Sequence, residues 1–155
     1  MIVALIAMLL AQAPAWNTFP STESKAAIQT PCVMERNAAI EKASPGVSFF
    51  NCVAASGEEM YFFAWTDIKT AEVNAPVEMR AARDATLKGY TLLTSDDRPY
   101  QGLPAMTFNG NGQGRLISSR VVVSNRRMYQ LMVAIPLDKD HASSVQRFLD
   151  SLSLN

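Results

Sequence analysis

Residues 128–135 read MYQLMVAI and are apolar on both faces, with Tyr129, Leu131, Val133 and Ile135 pointing one way. A strand of this kind is stable only when both faces are covered, so the segment belongs at the centre of a sheet with packed layers on either side. The rest of the chain has to supply those layers. Hydrophobic residues make up 48% of its 155 positions and charged residues 18%. That is enough apolar material for a core and excludes global disorder. The length suits one domain.

Other segments supply the neighbouring strands. Residues 26–33 (AAIQTPCV) make a first strand that Pro31 limits to an edge or a strand end. Residues 47–54 (VSFFNCVA) place Val47, Phe49 and Val53 on one face and Phe50 and Cys52 on the other. Residues 60–68 (MYFFAWTDI) are so dense in aromatics that a strand is the fitting state, and Ser56 to Glu59 turn the chain between the two. Residues 90–95, 103–108 and 115–123 follow, the last with Ile117, Val121 and Val123 on one side. Residues 109–114 (NGNGQG) separate two of these strands. Their spacing is not GxGxxG and no helix follows, so they predict a hairpin turn and not a phosphate loop. Residues 35–42 are charged and ambiguous.

Two segments change period. Residues 76–88 (PVEMRAARDATLK) are good helix formers, with Asn74 or Ala75 to cap them, Pro76 in the first turn and Gly89 just past the end. Val77, Ala81, Ala85 and Leu87 give this helix a modest apolar stripe. Near the C-terminus, Val145, Phe148, Leu149 and Leu152 fall at i, i+3, i+4 and i+7, and Asp138 or Asp140 can cap the start. The expected fold is α+β, a mainly antiparallel sheet of about seven strands flanked by two helices.

Several segments carry a resemblance. Gly102-Leu103-Pro104, the turn ending Gly112-Gln113-Gly114-Arg115, Arg127-Met128-Tyr129-Gln130-Leu131 and Arg147-Phe148-Leu149-Asp150-Ser151-Leu152 together resemble the PsbP-like α/β/α sandwich domains, whose fold the Ran-binding Mog proteins share. The resemblance spans residues 26–155. It implies a sheet flanked by helices and a non-catalytic adaptor or assembly role, and it carries over no functional residue.

The N-terminus points to export. No charged side chain precedes Glu23, and residues 1–11 (MIVALIAMLLA) are apolar throughout. An apolar stretch followed by a small-x-small site is a secretory leader pattern. Cleavage after Ala13 would put Pro14 next to the cut, an unfavourable place; cleavage after Ala15 leaves Trp16 first. The expected organisation is a signal peptide-like leader at 1–15, a polar connector at 16–25 and a single domain at 26–155. The usual positive residue before the apolar run is missing, so the alternative is a buried N-terminal helix or strand. The run falls short of the roughly 20 residues of a membrane span, and no Cys near the cut offers a lipoprotein anchor.

The two cysteines, Cys32 and Cys52, suit one disulfide in an exported chain. The alternative is two buried thiols behaving as small hydrophobes. Neither CxxC nor HxxxH occurs, so no metal or other cofactor is expected. His141 with Asp138 and Asp140 reads as a helix start and not as a catalytic pair, because no positioned nucleophile accompanies it. Arg115, Arg120, Arg126 and Arg127 form a local basic cluster, either a solvated hairpin surface or a contact for an anion or partner. The 14 basic and 14 acidic side chains balance, which argues against nucleic acid. The residues point to a small exported, non-catalytic domain that binds an unknown protein partner or supports an assembly. The alternative, drawn from Tyr61, Phe62, Phe63, Trp65 and eight Met, is a carrier of a small apolar ligand in a pocket between sheet and helix.

Overall fold

A computed structural model describes residues 15–140 and 142–155. The leader read from residues 1–15 therefore lies, apart from Ala15, outside the described residues, and so does His141. In chain order the described elements are β1 (Asn17–Ser21), β2 (Ala26–Thr30), β3 (Glu35–Arg36), α1 (Ala38–Ala43), β4 (Val47–Val53) and β5 (Met60–Asp67). They continue with α2 (Ala75–Thr86), β6 (Thr91–Asp96), β7 (Ala105–Gly112), β8 (Arg115–Ser124), β9 (Arg127–Pro136), α3 (Ala142–Leu149) and β10 (Ser153–Leu154). A seven-stranded sheet runs β3-β4-β5-β9-β8-β7-β6, and a three-stranded sheet runs β1-β2-β10. Every named pair is antiparallel.

The doubly apolar segment is β9, the fourth of the seven strands, paired with β5 on one side and β8 on the other. Its Tyr129, Leu131, Val133 and Ile135 join Tyr61, Phe63 and Trp65 of β5 in one core, closed by Phe148, Leu149 and Leu152 and by Ile28 of the small sheet. The opposite face packs Met106, Phe108, Val121 and Val123 against Met79 and Leu87 of the α2 region. The α+β fold expected from the residues is present, with additions. Residues 35–42, ambiguous as sequence, form β3 and a third helix, α1, whose N-cap Asn37 side chain accepts from Ile40 N at 3.1 Å.

Three local expectations need correction. The polar stretch at 16–25, expected as a connector, contains β1, which pairs along β2 and places Phe19 against Phe50 at 5.1 Å between ring centres. The stripe on α2 is as expected only at Leu87, which is buried: Val77 is 48% exposed and Ala81 and Ala85 are exposed, while Met79 is buried and Ala82 half-buried against the sheet. Residues 109–112 are not a loop but the end of β7, in register up to Gly112 opposite Arg115. The turn contracts to Gln113 and Gly114, both at positive φ, as a tight hairpin requires. The glycines upstream have a packing reason. A Cβ on Gly110 would stand 2.5 Å from Leu87 Cδ2, and one on Gly112 would stand 2.9 Å from Tyr90 Cδ1. The chain leaving α2 crosses β7 so closely that side chains there are excluded.

Cys32 and Cys52 are bonded, with Cα atoms 5.9 Å apart, joining the loop after β2 to β4. On the chain-entropy account a bridge over a loop of this length stabilises the fold by about 3 kcal/mol. Phe148 is fully buried and its ring meets Tyr61 edge-on at 5.1 Å. Phe148→Ala should therefore destabilise the protein by about 3–5 kcal/mol in denaturant titration. An unchanged unfolding midpoint would mean that α3 does not dock through this ring.

Candidate functional site

Two hollows differ in what their walls already bond. The first is polar, about 530 Å³, on the α3 side of β6, β7 and β8. Its floor is a cross-strand ladder: Ser118 Oγ donates to Asn109 Oδ1 at 2.7 Å, and Asn109 Nδ2 donates to Thr94 Oγ1 at 2.8 Å. Arg120 Nε donates to Thr107 Oγ1 at 3.1 Å. These groups satisfy one another, which leaves little unmet demand for a ligand.

The second hollow is apolar, about 510 Å³, on the other face of the sheet between α1 and α2. The sequence explains why it is open. Helix α2 sits over β7 and β8, and the six-residue α1 lies beside β4, so β5 and β9 are left uncovered between them. The strand alternation that sends Tyr61, Phe63 and Trp65 into the closed core sends Phe62 and Ala64 to this face. Phe49 and Phe62 meet there at 5.8 Å, and Met128, Met132 and Ile40 complete the apolar wall. Ser44, Thr66, Thr86 and Gln130 are polar members of the lining, and Tyr90 adds a phenol. No charged side chain is among the described lining residues.

The four arginines singled out in the sequence are each bonded within the fold; Arg126 and Arg127 line one hollow beside Asp67, while Arg115 and Arg120 lie elsewhere. Arg115 donates to Glu58 O at 3.1 Å. Arg126 holds the loop after β5, donating to Ile68 O at 3.1 Å and Thr70 O at 2.5 Å. Arg127 donates to Asp67 Oδ1 and to Glu23 O, both at 2.6 Å, and this guanidinium holds the Asp67 carboxyl below its ordinary range. Arg115 and Arg127 flank opposite ends of the β8–β9 hairpin, about 30 Å apart along ten residues of strand. The aromatic and Met content was the available sequence signal for the groove. The placement of α2, which opens it, was not visible there.

Arg120 closes α3. It donates to Leu149 O at 2.7 Å and to Asp150 Oδ1 at 2.6 Å, and lies over the Tyr100 ring at 4.6 Å. The single Tyr100 hydroxyl hydrogen is shared between the carbonyls of Asp150 and Leu152, which lie at 2.8 and 3.0 Å. Arg120 thus satisfies a carbonyl that the helix end leaves unpaired, and Tyr100 holds the chain that follows it. Burial alone would raise the Asp150 carboxyl, but the bonds from Gln146 and Arg120 outweigh it and hold the group below its ordinary value. Stability from this lowered group is complete above the unfolded carboxyl range and is lost as pH falls through the folded value. Asp150→Asn should thus lower the melting temperature at pH 7, with the difference from the parent shrinking as pH falls below the ordinary carboxylate range. Arg120→Met should cost about 1–3 kcal/mol at neutral pH. A difference for Asp150→Asn that persists undiminished in acid would refute the ionic role.

The fold is PsbP-like. The chain superposes on the solution structure of cyanobacterial PsbP (CyanoP) from Synechocystis sp. PCC 6803 with a TM-score of 0.69, covering 94% of this chain and 95% of that one at 13% identity. At that identity the likeness is one of fold alone. A weaker match is the crystal structure of PA94 from Pseudomonas aeruginosa, a protein of unknown function described as a putative regulator, with a TM-score of 0.44 and 11% identity over 84% of this chain and 86% of that one. No family model matches the sequence, and no curated protein matches it.

Proposed function

We propose that this protein is a small exported, non-catalytic binding domain whose working surface is the apolar groove between α1 and α2. The groove carries the reading. A hollow of about 510 Å³ with apolar walls and a few polar groups has the size and composition of small-molecule sites. The occupant it suits is a small apolar molecule. The PsbP-like fold supports the absence of catalysis.

Export is supported by the uncharged apolar leader at 1–15 and by the Cys32–Cys52 bond, which suits an oxidising compartment. Protein recovered from outside the cytoplasm should begin at Trp16 and, unfolded without reductant, titrate no free thiol. A chain starting at Met1 with two free thiols would sink this part of the proposal.

A protein partner is favoured by a different feature. Strand β6 is an edge of the large sheet, carries no charge before Asp96, and leaves Leu92 and Leu93 exposed at 44% and 49%. Such an edge invites strand addition by another chain. Nile red separates the two surfaces. Its fluorescence should rise and shift to the blue with the full chain, Met132→Lys should abolish that signal, and Leu93→Lys should leave it intact. The opposite pattern would move the binding surface from the groove to β6.

A further inference from the structure

The hydrogen-bond logic at the groove floor specifies what its ligand must carry, an inference that rests on the groove reading above. Thr86 Oγ1 donates its one hydrogen to Ala82 O at 2.8 Å. Ser119 Oγ donates its one hydrogen to Leu131 O at 2.9 Å. Both hydroxyls can therefore act toward a third group as acceptors alone. Gln130 meets both, at 2.8 Å and 3.0 Å, and so must turn its NH₂ toward them. The two amide hydrogens are consumed, and the orientation of the side chain is set by its neighbours.

That leaves the Gln130 carbonyl oxygen. It can only accept, and among the described residues no donor is bonded to it. Gln130 lines the groove, half-buried between the apolar side chains of Met128 and Met132. An acceptor in such a setting loses free energy if an apolar ligand covers it without supplying a hydrogen. No Asp, Glu, Lys, Arg or His is among the described lining residues, so a charged headgroup would enter without a counterion.

We infer that Gln130 Oε1 is the polar contact on the floor of this groove, and that the groove selects neutral amphiphiles presenting a hydroxyl or similar hydrogen-bond donor on an apolar body. Phe49, Phe62, Met128 and Met132 hold the body, and Gln130 reads the head. Selectivity follows from two penalties: an ether or hydrocarbon buries the acceptor unpaired, and a carboxylate brings an unpaired charge and no donor.

Chemical-shift titration of the full chain with 1-octanol, 1-methoxyheptane and octanoate at pH 8 tests this. The first two have the same number of heavy atoms and differ in the donor. Octanol should shift groove residues and bind about three- to tenfold more tightly than the ether, with octanoate weakest. Gln130→Met should bring octanol and the ether to equal affinity. Equal affinities in the parent protein, or a preference for octanol that survives Gln130→Met, would overturn the role of Gln130 while leaving the groove as an apolar site. Octanoate binding most tightly would overturn the selectivity. No shifts at groove residues with any probe would remove the inference and the groove reading together.

Discussion

The pairing of β5 with β9 is the constraint on which the rest of the structure depends. These strands share eight opposed positions and stand third and fourth across the large sheet, and both carry large apolar side chains on the α3 face. A pair of this kind needs a thick layer on that side, which Phe148, Leu149, Leu152 and the three-stranded sheet provide. The opposite side of the same pair has no comparable cover, because α2 is displaced toward β7 and β8. One strand pair thus explains both the closed core and the open groove. The asymmetry lies in which neighbour covers each face, since apolar side chains stand on both.

The displacement of α2 has its own cause. The chain leaves β5 at the centre and must reach β6 at the far edge before the meander β6-β7-β8-β9 returns to pair with β5. The helix bridges that gap and packs on the outer half of the sheet, where Gly110 and Gly112 give the exit from α2 its clearance. Filling the groove by shifting α2 inward would uncover Met106 and Phe108. The Gln130 network belongs to the same arrangement, because Thr86 at the end of α2 reaches across to β9 and fixes the amide.

Legibility in the sequence followed the strength of local pattern. The β9 segment and the aromatic β5 were readable because their composition suits a buried strand, and the closing helix because its apolar stripe is periodic. Asn74 and Pro76 placed the start of α2 as well, since capping chemistry is local. Where side-chain identity is set by distant contacts, the signal disappeared. β1 is polar along much of its length and is recognisable by Phe19 reaching Phe50 across sheets. The glycines of β7 look like a loop until the chain passing over them is known. The buried side of α2 runs through Met79, which no stripe of small residues announced. The four arginines clustered in sequence are distributed to separate anchoring tasks by the strand geometry. The groove was legible as composition but not as a place, because its position depends on a crossover connection.

The small sheet has a kinetic meaning. Its β2 is flanked by β1, its neighbour in sequence, and by β10, whose Ser153 and Leu154 pair with Ala27 and Ala26 from the other end of the described chain. The entropic cost of closing so long a loop grows slowly with length, but contacts this remote in sequence are the kind that slow folding. Until residues 153–154 arrive, one edge of β2 has no strand beside it. The layer that covers the most apolar part of the molecule is therefore complete only when both ends of the described chain have met.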